Sequence, residues 1–187
     1  MMYSGHFLSM KHAQHLLLSV AFVLSSWIAT LAQENLTELY YSGDYREVIN
    51  SSASLITSGD TTLNTFYLKA LSEAQLGQPT EAIATLQNAL SAHPGELRLS
   101  SMLARQYFDA GNYVEALISY TLLVQSDSTD VASWLKLAEM ASFRQQYTDA
   151  EHALNQVLAI DSMNLNSLMM MGDILNRHLH TGAVIYY

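Results

Sequence analysis

The chain has 187 residues, half of them apolar, with two prolines, eight glycines and no cysteine. That suffices for one packed domain and suits helices better than a turn-rich β fold. Seventeen acidic residues against eight basic give a net charge of −9, which repels polyanions such as nucleic acid, and the missing cysteines exclude disulfides, thiolate metal sites, a cysteine nucleophile and a lipid anchor on an N-terminal cysteine.

The first predicted element is an export signal over residues 1–32. Leu16 to Ala32 carry no charge, Lys11, His12 and His15 precede them, and Thr30 and Ala32 are small at the two positions a signal peptidase reads. Cleavage after Ala32 makes Gln33 the mature start and the protein periplasmic or secreted, with no stable membrane insertion. The alternative is an uncleaved anchor. Against it, the apolar run is short for a bilayer and holds Ser19, Ser25, Ser26 and Thr30.

Everything beyond repeats at a spacing of 34 residues. Gly43, Gly77 and Gly111 form one column, continued by Gln145; Val48, Ala82, Ala116, Ala150 and Val184 form another. Further columns are Ala70, Ala104, Ala138 and Gly172; Phe66, Ser100, Trp134 and Leu168; and Leu86, Tyr120 and Leu154. Small columns mark close helix crossings, large apolar ones fill space between helix pairs, and the glycines close helices in a left-handed conformation that costs glycine nothing. Between units lie the turn and capping residues Asp60-Thr61-Thr62, His93-Pro94-Gly95, Asp127 to Asp130 and Asp161-Ser162. The predicted helix pairs are 33–42 with 45–57, 62–76 with 79–92, 96–110 with 112–126, 130–143 with 147–159, and an incomplete pair, 164–178 with 181–187. The corresponding units are about 33–60, 61–94, 95–128, 129–162 and 163–187.

Three segments carry a family resemblance: Phe66 to Pro94, Leu97 to Ser126 and Trp134 to Asp161. The second has Leu103, Ala104, Tyr107, Gly111, Tyr113, Ala116 and Tyr120; the third has Trp134, Leu137, Ala138, Tyr147 and Ala150. In this spacing the chain resembles the tetratricopeptide repeat family over nearly everything after residue 35. The departures are Lys69 and Glu73, which stand where apolar residues are usual. The resemblance implies an all-α fold, an α-solenoid of stacked antiparallel helix pairs in a right-handed superhelix. Its concave face is lined by the first helix of each pair and suits an extended peptide or a partner helix.

Matching columns gives the candidate groove: Asn64, Tyr67, Leu71 and Gln75; Arg98, Ser101, Arg105, Phe108 and Asp109; Leu135, Glu139, Ser142 and Phe143; Met169 and Asp173. Tyr67, Phe108 and Phe143 are its expected exposed aromatics, Arg98 and Arg105 a basic spot, and Glu139 and Asp173 an acidic end. The plainer alternative is that Arg105 and Glu139 pair with each other and the two phenylalanines pack at a seam. A known variant of the family grips a C-terminal carboxylate with polar first-helix residues; Tyr67 and Leu71 stand where that clamp needs polar groups, which argues against it.

Chemistry is not expected. His178 and His180 do not share a helix face, His93 and His152 are isolated, and Met169 to Met171 point in different directions, with Met171 in a core column. Asn35 and Asn50 match glycosylation acceptors, which matter only in a eukaryotic secretory path. With no phosphate loop, nucleophile elbow or zinc pattern, no catalytic residue, metal or cofactor is assigned. The expected function is an exported scaffold binding a protein or peptide. The alternatives are a docking module of a larger enzyme continuing past Tyr187, or an element that self-associates through an unfinished C-terminal helix.

Overall fold

The structure is a computed structural model that describes the backbone of residues 31–32 and 34–184, with side chains through Arg177. Nearly all of the expected export signal, residues 185–187 and the side chains of His178 and His180 lie outside the described residues. The described chain is helical, with no strand. Residues 34–42 form α1. Then come α2 (Tyr45–Thr57), α3 (Leu63–Gln75), α4 (Pro79–Ala92), α5 (Leu97–Asp109), α6 (Tyr113–Ser126), α7 (Val131–Phe143), α8 (Tyr147–Ile160) and α9 (Leu165–Val184). Two compact units are present, one ending at Leu76 and one beginning at Gly77.

The same turn chemistry recurs at each closure. Gly43, Gly77 and Gly111 have φ of 86°, 69° and 79°, and Gln145 takes the glycine's place at φ 60°. At α5 the Gly111 N–H donates to Phe108 O (3.0 Å) and the Asn112 N–H to Tyr107 O (2.8 Å); at α7, Gln145 donates to Ser142 O (3.0 Å) and Gln146 to Ala141 O (2.9 Å). These reversed bonds satisfy carbonyls that the helix end leaves open. Helix starts repeat too. Glu96 Oε1 accepts from Arg98 N (3.4 Å), Asp130 Oδ1 from Ser133 N (3.2 Å) and Asn164 Oδ1 from Ser167 N (3.1 Å). A step earlier, Asp127 and Asp161 accept from Thr129 N and Met163 N, at 2.9 and 3.1 Å. Polar side chains thus mark where α5, α7 and α9 begin, whereas α2, α3, α4, α6 and α8 start without a side-chain cap.

Packing follows the columns. In the first unit Leu36, Val48 and Leu68 are buried together, with Leu39, Tyr40 and Leu55 against them. In the second, Ala104, Ala116, Tyr120, Leu123 and Met140 form one cluster, and Ala138, Ala150, Ala153, Leu154 and Ile174 the next. Each cluster joins both helices of a pair to the first helix of the following pair, α1–α2 to α3, α5–α6 to α7 and α7–α8 to α9. Lys69 and Glu73, the two departures, form an ion pair in which Glu73 is buried and its Oε2 lacks a hydrogen-bond partner among the described residues.

The last pair differs from expectation. No turn follows residue 178; α9 continues through Val184. The position equivalent to Gly43, Gly77, Gly111 and Gln145 is Leu179. A branched leucine resists the left-handed conformation the closure requires, so the helix runs on. Among the described residues nothing crosses closely at Gly172 either. Gly172 is exposed, and a Cβ added there would meet nothing within 4 Å.

Candidate functional site

The candidate groove residues all lie on first helices and are exposed or half-buried. Asn64, Tyr67, Leu71 and Gln75 are on α3 in the first unit. There Gln75 hydrogen-bonds the Tyr40 hydroxyl, whose pKa is raised mainly by burial and also by the neighbouring Tyr45. In the second unit Arg98, Ser101, Arg105, Phe108 and Asp109 are on α5, Leu135, Glu139, Ser142 and Phe143 on α7, and Met169 and Asp173 on α9.

Arg105 and Glu139 each pair with a residue of their own helix rather than with one another. Arg105 Nε lies 3.6 Å from Asp109 Oδ2, and Lys136 Nζ donates to Glu139 Oε2 at 2.7 Å. The expected contrast between a basic spot and an acidic end is softened by these partners. Below them the Tyr120 hydroxyl is pushed up to about 12, first by burial and then by Asp109, with Glu139 and Asp130 adding and Arg105 opposing. The phenol therefore stays neutral under the polar surface.

Three of the candidates come together in one place. Phe108, Glu139 and Phe143 line a hollow of about 440 Å³ with Tyr113, Val114, Met140 and Arg144. Phe108 is half-buried rather than free: it meets Tyr113 edge-on with centroids 5.6 Å apart, and Lys136 Nζ sits 4.8 Å over its ring. Phe143 is 85% exposed, Val114 68% and Tyr113 54%. Tyr67 and Leu71 belong to the other unit and do not contribute.

Tyr113, Val114, Lys136 and Arg144 were not among the residues chosen from sequence. The signal for Val114 was available. Val114, Ile118 and Leu122, four apart on α6, are exposed, whereas the same columns hold Arg46, Asn50 and Ser54 in the first repeat, Thr80, Ala84 and Asn88 in the second, and Thr148, His152 and Gln156 in the fourth. One repeat thus carries an apolar stripe where the others are mostly polar, and the stripe runs from the hollow along α6. Exposed apolar residues in contiguous rows mark interaction surfaces.

Among the described residues no cluster of His, Cys, Asp or Glu could hold a metal, and no helix is long and apolar enough to cross a membrane. The Met169 side chain is exposed as its groove column requires, while Met170 and Met171 pack against the cluster around Ala138 and Leu154.

The tetratricopeptide repeat family model matches residues 67–131. Superkiller complex protein 3 of Homo sapiens is 32% identical over 129 residues, covering 65% of this chain and 8% of that much longer protein. Among solved structures, MamA from Desulfovibrio magneticus superposes with a TM-score of 0.72 at 15% identity, covering 83% of this chain and 89% of that one. The fold is that of the tetratricopeptide repeat. A tetratricopeptide repeat protein from Parabacteroides merdae matches with a TM-score of 0.69 at 16% identity, covering 78% of this chain and 61% of its own. YrrB, a repeat protein described as having an unusual peptide-binding site, gives 0.64 at 16% identity, covering 72% and 69%. The repeats here differ from one another chiefly on their exposed faces, where the third alone carries the α6 stripe.

Proposed function

We propose that this chain is an exported, non-catalytic interaction scaffold. It captures a protein or peptide segment by an apolar side chain seated in the hollow between α5, α6 and α7. The observation carrying this reading is the exposed set Val114, Tyr113 and Phe143 around a hollow that Glu139 and Arg144 also line. Apolar anchors in a partly enclosed site supply binding energy, and the charged rim supplies orientation. The remaining first-helix positions, from Arg98 to Asp173, extend the contact along the chain. Export by residues 1–32 to the envelope rests on the charge, apolar run and small residues read above.

Selection of phage-displayed peptides on the purified chain tests the capture. Peptides with a large apolar residue beside an acidic one, suited to Arg144, are expected. Binding should weaken about tenfold or more on Val114→Thr or Phe143→Ser, the scale of losing a buried anchor. Unchanged binding by both variants, with helicity intact, refutes the assignment. N-terminal sequencing of the secreted or periplasmic protein should begin at Gln33.

A further inference from the structure

A second cavity adjoins the hollow. It lies between α6, α7 and α8 and holds about 380 Å³, against about 440 Å³ for the hollow. Leu117, Val124, Leu137 and Ala153 give it an apolar base, and the exposed Gln125 and Gln146 line it too. Trp134 forms a fixed wall. Its Nε1–H donates to Ser128 O at 3.0 Å, and the His152 ring meets it edge-on with centroids 6.1 Å apart. Each volume exceeds the roughly 150 Å³ that accepts a benzene-sized group.

Met140 and Arg144 line both cavities. Met140 is buried, whereas Arg144 is exposed and has no ion-pair partner among the described residues. The acidic groups nearby have other roles. Glu139 of the hollow accepts from Lys136 at 2.7 Å. Asp149 of the second cavity falls in a column with Glu47, Glu81 and Glu115, an acidic residue in the first turn of α2, α4, α6 and α8. There a carboxylate suits the helix dipole. The free charge where the two cavities meet is therefore positive. The positions equivalent to Arg144 are Ser42, Leu76 and Ala110 in the earlier repeats, so none of those closures carries this cation.

We infer that one partner segment occupies both cavities. An apolar side chain sits in the hollow, a carboxylate meets Arg144, and a second apolar side chain enters the α6–α8 cavity against Trp134. The partner is thus a protein segment with an acidic residue flanked on both sides by large apolar ones. This rests on the capture proposed for the hollow and extends it. A guanidinium can hold a carboxylate by two parallel hydrogen bonds, which fixes direction as well as adding affinity. Once the first anchor has bound, the second is held close to its own cavity and adds affinity at small further cost. A second copy of this chain fits less well, because two chains of net charge −9 repel.

The probe is a phage-displayed peptide library with its central residue fixed as glutamate and the others varied, selected on the full chain. The fluorescein-labelled consensus peptide is then titrated by fluorescence polarisation. Large apolar residues should be enriched on both sides of the glutamate, and a matching library with lysine at the centre should yield no binders. Gln125→Trp, which fills the second cavity from an exposed position, and Arg144→Glu should each weaken the consensus peptide about tenfold or more. Exchanging the peptide's glutamate for lysine should restore binding to Arg144→Glu. Circular dichroism checks that both variants fold. Enrichment on one side only, equal selection from the lysine library, or unchanged binding by Gln125→Trp overturns the inference. If Val114→Thr and Phe143→Ser weaken the peptide while Gln125→Trp does not, capture at the hollow stands and the two-cavity reading falls. If those two hollow variants bind normally, both fall. A chain that sediments as a dimer and is dispersed by Arg144→Glu also overturns the inference, by assigning the junction to a second copy.

Discussion

Replacing Gln145 with glycine should stabilise the second unit, and the reverse exchange at Gly111 should destabilise it. Both residues close a first helix with the same pair of reversed hydrogen bonds, and both have positive φ, 60° and 79°. A side chain in the left-handed region costs about 1–2 kcal/mol. Glycine instead loses about 0.5–1 kcal/mol more conformational freedom on folding. The difference leaves Gln145→Gly more stable by about 0.5–1 kcal/mol and Gly111→Gln less stable by a similar amount. Sterics do not confuse the comparison, because a Cβ at Gly111 would meet nothing within 4 Å. Urea denaturation followed by helical circular dichroism measures both, and a change of this size should move the thermal midpoint by about 1–4 °C. Loss of stability in Gln145→Gly, or no change in Gly111→Gln, would refute the argument that backbone conformation governs this column.

The remaining predictions concern the core and the titrating groups. Leu154→Ala removes a fully buried side chain at the centre of its cluster and should cost about 2–5 kcal/mol in denaturant unfolding. Lys69→Leu alone leaves the Glu73 carboxylate buried without its ion pair and should cost about 3–5 kcal/mol, whereas the double change with Glu73→Ala, which installs the residues of the fourth repeat, Leu137 and Ala141, should recover most of it. The Tyr120 hydroxyl, raised to about 12, contributes stability that is whole below pH about 10 and declines as pH rises toward 12, since the unfolded phenol ionises first. Tyr120→Phe should flatten that alkaline limb. Asp60 is shifted upward by burial, but hydrogen bonds from Thr65 Oγ1 and from Thr62 N and Oγ1 outweigh this and leave its pKa below the ordinary carboxylate value. Its contribution is present above the unfolded pKa and lost as pH falls through the folded one. Thr65→Val should move the Asp60 carbon titration upward by NMR.

The exposure of the candidate residues was legible because facing on a helix is set by spacing. Arg105, Glu139 and Phe143 are exposed on first helices as their columns indicate. Their partners were not legible. Whether Arg105 meets Glu139 of the next repeat or Asp109 of its own helix depends on rotamers and on the distance between repeats, and the within-helix pair prevails. Phe108 was read as exposed, yet Tyr113 and Lys136 hold it half-buried. The 34-residue period places a turn after residue 178, but Leu179 stands in the glycine column there and α9 continues through Val184.

The sequence by itself determined the helices and their ends as far as α8, because turn chemistry is local: a glycine, an aspartate or an asparagine acts on backbone groups within a few residues. It also determined much of the buried set, such as Ala82, Ala104, Ala116, Ala138, Ala150 and Leu154, since a recurring small or apolar residue has one face on a helix. Only the tertiary structure decided that Phe108, Val114 and Phe143 surround one hollow and that Leu165, Leu168 and Leu175 of α9 are exposed among the described residues. Both features depend on distances between helices from different repeats, which are set by the summed volumes of many packed side chains and by no single position.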